Sequence, residues 1–347
     1  MGTIKKDIRK LDESELKALC ASIGEPAYRA SQLKQWIWQK GAISFDQMTN
    51  LSKTMRSQLS DHYQFYPAVS DLEQNSSDGT LKVRFKLHDD QLIESVLIPV
   101  PRDKRYTVCV SSQVGCSLSC KFCATGKLGL LRQLEAAEIF DQVRYINDVC
   151  EATYDRKLSN IVFMGMGEPL LNYREVLKAI NYVCSQDGLG FSPRRITLST
   201  AGIAKMIKKL ADDEVRFNLA LSLHAPTDAK RNEIMPINES NNLAVLIEAL
   251  EYFYGKTRNK ISFEYIALRD FNDDISDARE LLKLCRHFPV HVNIIEYNPI
   301  GDGLFQSSDD QKIDQFAKYI SNAGVMCSVR RSRGKDIDAA CGQLANK

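Results

Sequence analysis

Strand and helix patterns alternate across residues 105–330, which predicts an α/β fold of parallel strands and crossover helices forming an open or closed barrel. Two further observations complete the outline. Residues 12–63 have helical periodicity, and two alternating runs near residues 80–99 join that segment to the barrel.

From residue 12 to 63 apolar side chains recur at helical spacing (Leu16, Leu19, Cys20, Ile23; then Leu33, Trp36, Ile37), interrupted at Gly24, Pro26 and Gly41. Residues 1–78 are therefore read as a small helical accessory domain. Residues 1–60 contain ten Lys and Arg against six Asp and Glu, a local +4 (10 minus 6), and both tryptophans, Trp36 and Trp38. Such a stretch can neutralise phosphates and stack on bases; equally, it can be a solvated helix face with its tryptophans packed inward. Residues 80–87 and 91–99 alternate around Asp89 and Asp90, as a β-hairpin linker over 79–101 would.

The core barrel is assigned to 102–331. Its strands are expected at 105–110, 159–164, 194–199, 216–223, 260–266, 290–296 and 325–330, with helices at 134–149, 173–184, 241–255, 274–286 and 308–323. Residues 332–347 form a tail. Arg330, Arg331, Arg333 and Lys335 make a second basic knot where the tail begins.

The composition, 44% hydrophobic and 26% charged with a net charge of +2 over 347 residues, is that of a soluble globular chain. No apolar run approaches about 18 residues and no secretory leader is visible, so no membrane partner and a cytoplasmic location are expected. Ten cysteines in such a chain point to metal or redox chemistry rather than disulfides. Cys20, Cys150, Cys184, Cys285 and Cys327 lie in apolar-periodic stretches and read as small buried hydrophobes.

Cys116, Cys120 and Cys123 form a CxxxCxxC, with Phe122 before the last cysteine and Gly126 beyond it. Three thiolates in one tight loop can hold three irons of a four-iron, four-sulfur (4Fe-4S) cube and leave the fourth open to a ligand. Zinc, with Cys109 as a fourth ligand, is the alternative; structural zinc usually needs a second knuckle, and none is present.

In a parallel barrel the loops after the strands carry function. The cysteine loop follows the first strand, and Gly165, Gly167 and Glu168 follow the second. Ser199 ends the third, Ser222 and His224 close the fourth, and Asn298 follows the sixth. Each has a structural reading as a loop polar or turn residue, and their shared rim position favours ligand binding. Cys341 sits in a polar tail segment and is either incidental or reactive. Cys109 reaches the same cavity if it points inward. Glu94, among apolar neighbours, is either a base with raised pKa or an outward strand residue.

Together these residues carry a resemblance. Cys116-x3-Cys120-x2-Cys123 resembles the radical S-adenosylmethionine signature. Met164-Gly-Met-Gly-Glu-Pro169, Arg195-Ile-Thr-Leu-Ser-Thr-Ala-Gly202, Leu221-Ser-Leu-His-Ala-Pro226 and Asp338-Ala-Ala-Cys-Gly-Gln343 are similar to motifs of the 23S rRNA and tRNA adenine C2-methyltransferases, the RlmN family. The resemblance implies a partial (βα)6 radical SAM barrel with a helical N-terminal RNA-binding domain. It also implies a 4Fe-4S cluster, two S-adenosylmethionine molecules per turnover, 23S rRNA and tRNA as partners, an electron donor such as flavodoxin, and a monomer.

By the same resemblance Cys116, Cys120 and Cys123 hold the cluster, and Gly167, Glu168, Ser199, Ser222, Leu223, His224 and Asn298 contact S-adenosylmethionine. Cys341 carries the methyl group, Glu94 takes the C2 proton, and Cys109 releases the product through a transient disulfide with Cys341. The fold must then bring the tail to the start of the barrel. A related resistance family that methylates C8 shares most of these motifs, and Glu168-Pro-Leu170 and Ala225-Pro-Thr227 look more like the C2 enzymes. A zinc-stabilised RNA-binding module without catalysis is the alternative from a different class.

Overall fold

The computed structural model describes residues 5–346; Met1–Ile4 of the accessory domain and Lys347 of the tail lie outside the described residues. Ten strands form one large sheet: β1 (Val69–Asn75), β2 (Leu81–Lys86), β3 (Leu92–Val100), β4 (Arg105–Cys109), β5 (Asn160–Phe163), β6 (Ile196–Thr200), β7 (Asn218–Ser222), β8 (Ile261–Ala267), β9 (Val290–Glu296) and β10 (Met326–Arg330). Spatial order follows chain order. β1 to β4 pair antiparallel and β4 to β10 pair parallel. With β1 and β10 at its edges the barrel stays open.

The parallel half arises because each strand is followed by an amphipathic helix that can pack back onto the sheet. Ala136–Tyr154 shows the pattern: Ile139, Phe140, Val143, Ile146 and Cys150 line one buried stripe, Glu135 and Glu138 form a capping box, and Asp155 ends the helix with φ 52°. Tyr173–Cys184, Ala204–Asp212, Leu243–Thr257, Ile275–Leu284 and Asp310–Asn322 complete the crossovers. Ala204–Asp212 adds a helix to those expected from periodicity.

β1 is a further addition. It lies within the segment read as helical, yet it extends the hairpin into a three-stranded antiparallel wing. The accessory helices, Glu13–Ser22, Tyr28–Lys34 and Lys53–His62, are tied by a short parallel bridge between Lys6–Asp7 and Tyr63–Gln64. Arg9 docks this domain on the barrel: it is buried, pairs with Asp7 at 2.9 Å, and reaches Asp141 of the first crossover helix at 2.8 Å. Trp38 reinforces the joint by stacking on Tyr182 with ring centroids 3.7 Å apart and meeting Phe140 edge-on.

Candidate active site at the barrel mouth

The cysteine loop is the turn of a hairpin. Gln113–Gly115 pairs antiparallel with Leu130–Gln133, and everything between bulges over the C-terminal ends of the parallel strands. Gly115 makes the exit: its φ is 77°, and a Cβ there would lie 1.8 Å from the Gly129 carbonyl. Cys116 N–H donates to that carbonyl at 2.9 Å, and Lys121 N–H donates to Ile234 O at 3.0 Å, which ties the loop to the opposite rim. Burial, followed by Cys123 among the neighbouring charges, pushes the Cys116 thiol up to about 11. Burial and then Cys123 and Cys116 raise Cys120 further. The three thiols therefore face a common space.

The rim polars converge there as well. Glu168 is buried; Oε1 accepts from Leu170 N–H at 3.0 Å and Oε2 from Ala201 N–H at 2.7 Å. Burial outweighs these bonds and pushes its carboxyl up to about 7. Gly167 has φ 98°, and a Cβ would fall 2.5 Å from the Gln113 side chain, so only glycine fits this approach. Ser199 and Ser222 place their hydroxyls 3.2 Å apart. Leu223 is buried, and its carbonyl accepts from Arg231 at 3.0 Å.

His224 has φ 57°, and its Nδ1 accepts from Ile266 N–H at 3.2 Å, which puts the ring proton on Nε2. Burial, and then Arg231, push its pKa down to about 3, so the ring is neutral. Asn298 donates to the Glu296 and Cys341 carbonyls at 3.3 and 3.4 Å.

The tail closes the mouth. Ala124 N–H donates to Gly342 O at 2.7 Å, Thr125 Oγ1 to Leu344 O at 2.6 Å, and Gln343 Nε2 to Pro299 O at 3.2 Å. Cys341 lies in a concavity, where solvent reaches it although enough protein surrounds it for burial to raise its pKa. Cys109 is buried at the end of β4; burial, and then Cys341, push its thiol up to about 12. Chain end and barrel start thus meet. All ten cysteines are free, Cys109 and Cys341 included, so the expected disulfide is absent in this state.

Glu94 points inward rather than outward. Val96 on β3 stands opposite both Cys109 on β4 and Lys82 on β2, so Glu94, two residues away, shares a sheet face with Cys109 and Lys82. Glu94 is fully buried, 3.3 Å from the Lys82 ammonium.

Several residues here had no sequence signal. Arg231 is buried and bridges three mouth loops through Ala201 O (2.5 Å), Leu223 O (3.0 Å) and Asn238 Oδ1 (2.6 Å). Gln113 accepts from Glu168 N–H at 2.7 Å, and Lys82 backs Glu94. The second basic knot is largely spent on structure. Arg331 pairs with Glu296, Asp310 and Asp314, Lys335 with Glu296, and Arg333 donates to the carbonyls of Asp78 and Pro99.

Comparison with known proteins gives this geometry a family. A model described as the ribosomal RNA large subunit methyltransferase N-terminal domain matches residues 6–64, and the radical SAM superfamily model matches 110–284. A Flavobacterium johnsoniae protein named "Probable dual-specificity RNA methyltransferase RlmN" is 52% identical over 343 residues, covering 99% of this chain and 98% of its own. The chain belongs to the RlmN family. The dual-specificity RNA methyltransferase RlmN of Campylobacter fetus is 40% identical, with 99% and 98% covered. A crystal structure of a radical SAM methyltransferase from Sphaerobacter thermophilus superposes with a TM-score of 0.92 at 38% identity, covering 99% of this chain and 100% of that one.

The RlmN family's radical SAM core implies a four-iron cluster and S-adenosylmethionine, and the residues present fit both. Three thiols face one space, and a buried carboxyl, two hydroxyls and a neutral imidazole lie beside it. The radical SAM match and the relatives named RlmN do not favour the C8 enzyme or the non-catalytic zinc module. No helix among the described residues is long and apolar enough to cross a membrane.

Proposed function

We propose that the protein methylates C2 of adenine in 23S rRNA and in the tRNA anticodon loop, with Cys341 as methyl carrier and two S-adenosylmethionine molecules consumed per methyl transferred. The observation that carries this reading is the seating of Cys341 between the cysteine loop and Cys109.

Adenine C2 is an electron-poor carbon that does not attack an electrophilic methyl group, so the transfer needs radical chemistry. Held by Cys116, Cys120 and Cys123, a four-iron cluster with S-adenosylmethionine would supply the methyl group and the carbon radical. Gly167, Glu168, Ser199, Ser222, Leu223, His224 and Asn298 would orient that ligand; the buried Glu168 carboxyl suits its ammonium.

Cys341 presents its sulfur at the mouth and bonds the base through a methylene carbon. Glu94 accepts the C2 proton, and the unpaired electron left on the adduct would be taken up by the bound cluster. Cys109 then attacks the Cys341 sulfur; the carbon–sulfur bond breaks, the methylene carbon takes a proton to become the methyl group, and a Cys109–Cys341 disulfide remains for a reductant to reopen. Cys109 stays a thiol until that step because burial holds its pKa high. A flavodoxin-like donor would supply the cluster's electron, and a cytoplasmic monomer fits the reading.

RNA binding by the accessory domain is supported by an open groove of about 800 Å³ whose lining includes Lys5, Lys53, Arg56, Phe45, Tyr63 and Phe65. Trp38 is buried at the domain joint, and Trp36 is covered on one face by Lys40, so the tryptophans contribute little to such a surface.

Cysteine variants test the roles. Cys109→Ala should accumulate protein joined covalently to RNA, and Cys341→Ala should form none. Wild-type turnover by either variant would overturn the assignment.

A further inference from the structure

Glu94 holds more than its own proton. Oε2 accepts from the main-chain N–H groups of Ala345 and Asn346 at 2.9 and 3.0 Å. Oε1 faces the buried Lys82 ammonium at 3.3 Å, and no directed hydrogen bond saturates it. At its other end the tail is fixed by Gly334 N–H, which donates to Asp78 Oδ2 at 3.0 Å, and by Asp336 Oδ1, which accepts from Ser76 Oγ at 2.6 Å. Cys341 lies between these two anchored ends, held by three carboxylates. Of these carboxylates, Glu94 lies on the sheet face that carries Cys109.

We propose that ionised Glu94 is the latch that holds the tail, and with it Cys341, in the barrel mouth, with Lys82 as its positioning residue, and that capture of the C2 proton opens the latch. The inference rests on the reading of Glu94 as proton acceptor. A carboxylate accepts amide hydrogen bonds roughly twice as strong as a neutral group does, and here two of them end on one oxygen. When the proton moves from C2 to the Glu94 carboxyl, both weaken together. No electrons leave the carboxyl and no other bond breaks. The tail loosens at the step where Cys341 must exchange its bond to the base for one to Cys109. Lys82 keeps Oε1 turned inward, so that Oε2 meets the tail.

Reconstituted holoenzyme without RNA gives the test, read by amide hydrogen exchange of residues 344–346 and by iodoacetamide alkylation of Cys341, both followed by mass spectrometry. Glu94→Gln, which retains an acceptor without the charge, and Lys82→Met should each speed tail exchange and Cys341 alkylation about tenfold. Ala345→Pro removes one donor without touching the buried pair and should speed alkylation similarly, so it decides the matter if the other variants fail to fold. Exchange at Val108 and Leu198 in the core should not change.

Wild-type tail exchange and alkylation in Glu94→Gln and Ala345→Pro would overturn the latch. Lost methylation with a wild-type tail would leave Glu94 as proton acceptor only. A loosened tail with full methylation would support the latch and remove Glu94 from the proton step.

Discussion

The amide of Ala124, one residue past the last loop cysteine, donates to the carbonyl of Gly342, one residue past Cys341, at 2.7 Å. One backbone hydrogen bond thus sets the reactive tail against the metal loop. Its register depends on Gly342, which has φ 83° and would bring a Cβ to 3.1 Å from Phe122 O.

Gly342→Ala should therefore strain the tail by about 1–2 kcal/mol and cut methyl transfer about tenfold. Iron content should stay at wild-type level, because the three loop cysteines are unchanged. Parallel iron and methyl-transfer assays would separate this outcome from collapse of the loop.

Glu168 predicts a pH effect. Its folded pKa is pushed up to about 7 from an ordinary 4.5, so between those values the native state keeps a proton that the unfolded chain releases. Stability of the ligand-free protein from this group is present below 4.5 and is lost as pH rises through 7, on the order of 3 kcal/mol. Urea unfolding at pH 4.5 and pH 8 should show Glu168→Gln gaining on wild type by that order. An ammonium beside the carboxyl favours its charged form, so S-adenosylmethionine affinity should climb up to about pH 7 and then level off.

The two basic regions should behave differently towards RNA. Lys53→Ala and Arg56→Ala in the accessory groove should weaken binding and each reduce the salt slope by about 1. Arg331→Ala removes a side chain already paired with Glu296, Asp310 and Asp314, and should leave that slope unchanged while lowering Tm. Filter binding across about 50–200 mM salt checks both.

The parallel strands and their rim residues were legible because each buried run ends at a polar or glycine position, which marks strand and loop together. β1 was not. Its residues, Val-Ser-Asp-Leu-Glu-Gln-Asn, are mostly exposed on both faces at the sheet edge, so no period of two survives. Arg231 and Lys82 were hidden for another reason. A buried cation is recognised by its partners, and theirs are carbonyls and a carboxylate contributed by other segments of the chain. The tryptophans divided because two residues apart on a helix they point to nearly opposite faces, so Trp38 turns inward and Trp36 stays half-exposed.

The central claim is that a tail cysteine delivers carbon to adenine C2. Anaerobic reaction of the reconstituted protein with 23S rRNA, tRNA and methyl-labelled S-adenosylmethionine, followed by nucleoside mass spectrometry, tests it directly. Labelled 2-methyladenosine that disappears in Cys341→Ala is the predicted result, whereas label on C8, on a ring nitrogen, or undiminished in Cys341→Ala would contradict the account.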